Sequence, residues 1–190
     1  MSRSGRSAPV AMPAGEILIP AERIRRRVAE LAREIDAAFP AGPLHCVILL
    51  KSALFFGVDL IRALGREASL GLIRASSYGG GTESAGEVRL GFEDVGEPSG
   101  RNVLLIDDIL DTGYTLRAAV EALRARRPAA LRTCVLLDKP ARRKIKIEAD
   151  HVGFPVEDVF VVGYGLDCGE AHRTLPDIRA YRPAGPEEPQ

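Results

Sequence analysis

The stretch Leu44-His45-Cys46-Val47-Ile48-Leu49-Leu50 is the tightest constraint on how this chain can fold. Gly42-Pro43 precedes it and Lys51 follows, so a short, almost wholly apolar run has to be hidden from water on every side. A strand with one wet face alternates apolar and polar residues; a strand covered on both faces does not, and such strands belong to parallel sheets. Val103-Leu104-Leu105-Ile106 repeats the pattern. Residues 69–75, 87–92 and 132–137 read as further strands.

Helical spacing separates these runs. Ile24, Val28, Leu31 and Ile35 recur at intervals of three and four, with Arg25, Arg26, Arg33 and Glu34 elsewhere on the wheel, so residues 21–39 form an amphipathic helix that ends at Pro40. Residues 53–64 and 116–126 read as two more. Strands alternating with helices make an α/β fold with a mainly parallel, twisted sheet flanked by helices, in which ligands gather beyond the carboxyl ends of the strands. The 190 residues suit one domain. Residues 1–14, rich in Ser, Gly, Pro and Arg, and residues 183–190, rich in Pro and Glu, are expected to be loose tails around a single domain at 15–182.

Twenty-six basic side chains balance twenty-six acidic ones, so no overall field favours nucleic acid or a membrane surface as partner. The apolar runs fall short of the ~20 residues that span a bilayer. Arg3 and Arg6 are not followed by an apolar stretch, so no secretory signal is read at the N-terminus. Cys46, Cys134 and Cys168 are odd in number and widely spaced, which suits free thiols in a reducing compartment; a cytoplasmic location is expected. His45, His151 and His172 lack metal-ligand spacing. Arg25-Arg26-Arg27 reads as a solvated helix edge, with an RNA contact as the alternative.

The chemistry concentrates behind the 103–106 strand, in Asp107-Asp108-Ile109-Leu110-Asp111-Thr112-Gly113-Tyr114-Thr115. Adjacent carboxylates at a strand end repel each other, and a cation or ribose hydroxyls would complete them. Thr112, Gly113 and Thr115 precede a helix whose first N–H groups are free, and Gly113 lets the backbone approach an anion closely. Acids and loop together make a cradle for a sugar phosphate. The plainer reading, turn residues and a helix cap, does not account for the whole string in this order.

This string resembles the signature of the type I phosphoribosyltransferases. Leu136-Leu137-Asp138-Lys139-Pro140, Gly153-Phe154, the run from Phe160 through Gly163-Tyr164-Gly165-Leu166-Asp167, and Ser76-Ser77-Tyr78 followed by Gly86-Glu87-Val88 are similar to the hypoxanthine-guanine phosphoribosyltransferases in particular, over about residues 16–178. The resemblance implies the type I phosphoribosyltransferase fold with a small hood formed by the chain ends, from about residues 15–20 and 140–180. It implies phosphoribosyl pyrophosphate and a purine base as substrates, Mg²⁺ as cofactor, and a homodimer or homotetramer.

It also implies residue roles. Asp107 and Asp108 contact the ribose hydroxyls directly or through Mg²⁺, Asp111 sits beside purine N7 as general acid/base, and Thr112, Gly113, Tyr114 and Thr115 hold the 5′-phosphate. Lys139 donates to the exocyclic oxygen, Phe160 stacks on the ring, and the Val161 backbone reads the base edge. Asp167 helps hold a second Mg²⁺ and Arg173 binds pyrophosphate. Ser77 and Tyr78 lie on a loop that closes over the site, which otherwise reads as an exposed hairpin. Lys51-Ser52 departs from the family's Lys-Gly pair, often joined to a non-proline cis peptide, that supplies backbone donors to pyrophosphate; the Ser52 side chain restricts that backbone.

Several roles are physically sensible read independently. Lys139 against a carbonyl oxygen would favour 6-oxopurines over adenine, whose amino group is itself a donor; the plainer reading is a surface lysine. Phe160 beside valines reads as core unless it stacks on a ligand. Scattered aspartates suit Mg²⁺, which takes one or two carboxylates plus phosphate oxygens and water. A phosphoribosyltransferase-like regulator that senses nucleotides and binds RNA or DNA keeps the same fold. A receiver domain shares the acid pair and lysine but has no place for the Asp-Thr-Gly-Tyr-Thr loop.

Overall fold

In a computed structural model, residues 15–77 and 88–181 are described. The chain runs through β1 (Ile17–Ile19), α1 (Ala21–Ala38), β2 (Leu44–Leu50), α2 (Leu54–Ala63), β3 (Ala68–Ser77), β4 (Val88–Asp94), β5 (Asn102–Leu110), α3 (Tyr114–Arg124), β6 (Ala130–Asp138), β7 (His151–Pro155), β8 (Val161–Val162) and β9 (Ile178–Ala180). Both expected tails, Tyr78 and most of its loop lie outside the described residues.

Among the described residues six strands form one sheet in the order β4-β3-β2-β5-β6-β7, and three form a second in the order β1-β9-β8. In the large sheet every pairing is parallel except that of β3 with β4. The apolar run at 44–50 is β2, buried from Leu44 to Leu49 and paired on both sides. α1 and α2 cover one face, where Ile24, Leu31, Ile35, Phe56 and Leu60 meet Cys46, Ile48, Leu104 and Ile106. α3 covers the other, where Leu116, Ala119 and Leu123 meet Val47, Leu49, Val103 and Leu105. No helix among the described residues is long and apolar enough to cross a membrane.

β5 is longer than the 103–106 run suggests. Its pairing with β2 ends at Ile48–Ile106, but its pairing with β6 continues through Asp107–Val135 and Ile109–Leu137 to Leu110–Asp138. Asp107 and Asp108 therefore stand inside a strand that has lost one neighbour, and that missing neighbour opens the sheet. α3 begins at Tyr114, two residues earlier than its apolar spacing indicates, because Gly113 turns the chain at φ 94°.

The small sheet joins the two ends of the described chain. Ile17 faces Arg179 across one antiparallel pairing, and Val161 faces Ala180 across the other. Ile19, Val161, Leu166 and Ile178 tie it into the core on the α1/α2 side. The Tyr164 hydroxyl donates to Asp59 on α2 at 2.7 Å. Arg27, expected at a solvated edge, turns inward and donates to the carbonyls of Val152 (2.9 Å) and Gly153 (3.1 Å) while pairing with Glu30 and Glu34, so it fastens α1 to β7.

His45 is the polar exception in β2. Its Nε2 lies 2.7 Å from the Val95 carbonyl and its Nδ1 2.9 Å from the Ser69 hydroxyl, which also accepts from Arg101. A neutral ring satisfies both contacts, donating to the carbonyl and accepting from the hydroxyl. Burial lowers its pKa, with the Val95 contact pulling the other way. The neutral form thus stabilises the fold above the free-imidazole pKa of about 6.5, and that contribution is lost as pH falls through the lowered folded value. We expect the unfolding midpoint to drop between about pH 7.5 and about pH 5, and His45→Asn to lower the midpoint at the higher pH while shrinking the drop. Thermal denaturation at the two pH values checks this; an unchanged drop in the variant assigns the acid sensitivity elsewhere.

Candidate active site

Where β2 and β5 part, two cavities meet. The larger, about 380 Å³, is lined by Ser52, Asp108, Asp111, Lys139, Arg142, Asp158, Phe160, Val161 and Asp167 among others. The smaller, about 160 Å³, takes in Lys51, Ser52, Asp107, Asp108 and Thr115. Ser52 and Asp108 line both, so residues from β2, β3, β5, α3, β8 and the segments that follow β6 and β8 face one cleft at the carboxyl end of the sheet.

The acid pair sits at its centre. Asp107 is 6 % exposed, and its Oδ1 accepts the Asp108 N–H at 2.9 Å. Burial, and then the charge of Asp108, push the Asp107 carboxyl well above the usual carboxylate range. Burial raises Asp108 too, while hydrogen bonds and the Arg173 charge pull it down. A cation or hydroxyl donors brought by a ligand would relieve this cost. No group of three or more His, Cys, Asp or Glu among the described residues is arranged to hold a metal. The pair, and Asp167 across the same cavity, each fit Mg²⁺ in the form that takes one or two carboxylates and draws its remaining oxygens from water and phosphate.

The loop beyond β5 is held from one side by the segment after Lys139. Arg143 donates to the carbonyls of Leu110 and Asp111 and pairs with Asp138. The N–H groups of Lys144 (3.1 Å) and Ile145 (3.4 Å) donate to the Thr112 carbonyl. A side chain at Gly113 would meet Ile145 and Ile147 at 3.0 Å or less. Thr115, in the first turn of α3, lines the smaller cavity, and the first N–H groups of a helix lack partners within it and suit an anion. Thr112, Gly113 and Tyr114 shape the turn and are not among the cavity-lining residues.

Asp111 points into the larger cavity and pairs with Arg142 at 2.7 Å; Arg142 also reaches Asp158 at 3.3 Å. Lys139 is no surface lysine. It is 6 % exposed, its Nζ donates to the Val159 carbonyl at 2.6 Å, and burial lowers its pKa against the upward pull of Asp111 and Asp158. Phe160, by contrast, is 52 % exposed at the cavity wall and lies tilted against Tyr181, with ring centroids 5.8 Å apart and planes at 57°. An aromatic left that bare beside a cavity suits a flat ligand better than a core.

At the far end the peptide Leu50–Lys51 is cis. The Ser52 hydroxyl, in place of the family's glycine, accepts from Arg173 Nη1 at 2.9 Å. Arg173 also reaches the Gly165 carbonyl at 2.7 Å and Asp167 at 2.9 Å. Gly165, at φ 97°, passes so close that a Cβ would come within 2.3 Å of the Ser52 carbonyl oxygen. The Ser52 turn and the Asp167 segment are thus locked together. Ser77 ends β3 and its side chain is not described. Arg142, Arg143 and Asp158 escaped sequence reasoning because Arg142-Arg143-Lys144 looks like a solvated charge run.

Comparison with known proteins agrees with this geometry. The family model for the phosphoribosyl transferase domain matches residues 16–168. A hypoxanthine-guanine phosphoribosyltransferase of Aquifex aeolicus is 44% identical over 164 residues, covering 86% of this chain and 92% of its own. One from Staphylococcus aureus is 43% identical over 169 residues, covering 88% and 94%. A crystal structure of a hypoxanthine-guanine phosphoribosyltransferase from Bacillus anthracis superposes with a TM-score of 0.85 at 38% identity, covering 90% of this chain and 100% of that one.

Because its folded pKa is raised, Asp107 favours the fold below its unfolded pKa of about 4, and that contribution is lost as pH rises through the raised value. Asp107→Asn keeps an oxygen for the Asp108 N–H and removes the charge. In protein free of substrate and metal, we expect this variant to melt about 2–4 °C higher at neutral pH, the shift that ~1 kcal/mol gives a chain of this size, with the gain shrinking toward about pH 4. Scanning calorimetry at both pH values measures it; a loss of stability at neutral pH would refute the charge-repulsion account.

Proposed function

The chain belongs to the phosphoribosyl transferase family, and on that premise we propose that it transfers the phosphoribosyl group of phosphoribosyl pyrophosphate to N9 of hypoxanthine or guanine, giving IMP or GMP and pyrophosphate in purine salvage. One observation carries the reading: the sugar-phosphate string, the Lys139–Phe160 wall and the Ser52–Arg173 corner converge on one cleft.

The ends of that cleft divide the substrate. The 5′-phosphate rests on the first turn of α3, with Thr112, Gly113, Tyr114 and Thr115 forming the cradle. Asp107 and Asp108 accept from the ribose hydroxyls. Phe160 covers one face of the purine, Val161 meets its edge, and Lys139 donates to O6. Mg²⁺ held through Asp107 and Asp108, and a second Mg²⁺ held with the help of Asp167, each together with substrate oxygens, would spread the negative charge of the leaving group. Lys51, Ser52 and Arg173 surround that group, with Ser77, at the end of β3, and Tyr78, outside the described residues, as its further contacts.

As the anomeric carbon–oxygen bond breaks, positive charge develops on the sugar, and the base N9 lone pair forms the new bond. The proton on N7 passes to the Asp111 carboxylate, which keeps the base nucleophilic throughout. Arg142 holds Asp111 before the base arrives. Holding both reactants in one cleft in the orientation they need contributes much of the rate.

Three measurements test this. Incubating the protein with phosphoribosyl pyrophosphate, Mg²⁺ and hypoxanthine, guanine, xanthine or adenine in turn is expected to give nucleotide with the 6-oxopurines; no nucleotide from any base ends the proposal. Asp111→Asn is expected to lower kcat by about 10²-fold or more with little change in KM for phosphoribosyl pyrophosphate. Lys139→Met is expected to raise KM for hypoxanthine and narrow its preference over adenine by about 10-fold or more, read from the ratio of kcat/KM values.

A further inference from the structure

Pyrophosphate is the most highly charged group in the proposed reaction, yet the two cations placed around it already share one anion. One carboxylate oxygen of Glu170 lies 2.9 Å from Lys51 Nζ. The other lies 3.2 Å from Nη2 and 3.4 Å from Nε of Arg173. Lys51 follows β2 and Arg173 precedes β9, so this single side chain spans the two walls of the leaving-group corner.

The backbone sets it there. Glu170 is at φ 69°, next to Gly169 at φ 59°, and its N–H donates to Asp167 Oδ2 at 2.8 Å. Its side chain stays 65% exposed, as Lys51 is at 60%. Ion pairs this open to water are screened and easily exchanged. Arg173 differs from Lys51 in being anchored independently: Nη1 holds Ser52 and Gly165, and Nη2 also pairs with Asp167. If Glu170 leaves, Arg173 keeps its place and frees the Nε–Nη2 edge, a fork that matches two phosphate oxygens. Glu170 thus presents two oxygens to the same donors that a pyrophosphate would use.

We propose that Glu170 is a built-in substitute for pyrophosphate, which occupies the cations of the leaving-group corner while the site is empty and must be displaced when pyrophosphate, free or within phosphoribosyl pyrophosphate, binds. The inference rests on the proposed reaction, since that reading assigns Lys51 and Arg173 to pyrophosphate. Glu170 is a positioning residue that lowers affinity for the leaving group. The internal carboxylate competes for the cations at an effective concentration that never dilutes, so it speeds the departure of the product.

The test uses the full chain with Mg²⁺, wild type against Glu170→Gln, and titrates pyrophosphate by calorimetry and as an inhibitor of nucleotide formation. Losing two exposed ion-pair competitors is expected to tighten pyrophosphate by about three- to tenfold. KM for phosphoribosyl pyrophosphate should fall with it, while KM for the purine moves less than about twofold, a split that general loosening of the fold would not give. Glu170→Asp, one methylene too short to bridge both cations, should tighten pyrophosphate by a smaller factor and serves if the glutamine variant folds poorly. Adding Lys51→Met should remove part of the gain. Unchanged or weaker pyrophosphate binding in both Glu170 variants overturns the proposal. Because calorimetry reads binding without turnover, a wild-type protein that makes no nucleotide would defeat the proposed reaction and leave the Glu170 comparison readable.

Discussion

Everything at the cleft follows from the point where β2 stops pairing with β5. Up to Ile106 the strand is held on both sides; beyond it, only β6 remains. A sheet that ended evenly would offer a flat rim. Here the half-paired end of β5 keeps Asp107 and Asp108 rigid, because β6 still fixes their backbone, while the vacated side admits a ligand. Rigid backbone beside open space is what lets a short acidic segment organise a substrate without a mobile loop of its own.

That position is electrostatically costly, and the cost has a use. Two adjacent carboxylates in a cleft favour whatever supplies positive charge or hydroxyl donors. The chain has no net charge to attract an anionic substrate, so recognition is local: around the cleft Arg142, Arg143 and Arg173 pair with Asp111, Asp138 and Asp167, and Lys51 pairs with Glu170. All four of these cations are already paired within the protein. Arg27 on α1 is spent in the same way on β7, which leaves less for the RNA contact weighed for its arginine run.

The sequence was a good guide wherever burial imposed a period. β2 was legible to the residue because nothing polar but His45 interrupts it, and α1 was legible from its four-residue stripe. β5 was underread because its carboxylates end the apolar run though its pairing with β6 continues. β1, β8 and β9 are two or three residues long, too short to carry any alternation, and β1 finds β9 across nearly the whole length of the described chain. At the site, the string from Asp107 onward stood out because its order is unusual. Arg142 and Arg143 did not, since a basic run after a proline looks the same whether it meets water or a carboxylate. Ser52 read only as a missing glycine; its hydroxyl bond to Arg173 depends on a fold that brings residues 121 apart in sequence together.

The small sheet has a consequence for the order in which the protein can be completed. Its strands come from the beginning and the end of the described chain, and β8 follows directly on Phe160. A ribosome delivers β2, β5 and α3 well before Ile178–Ala180, so the sugar-phosphate half of the cleft can assemble while β1 still waits for its partner. The wall behind Phe160 closes last, when β9 slots between β1 and β8. On the proposed reaction, the part that meets the phosphate would thus be in place before the part that meets the base.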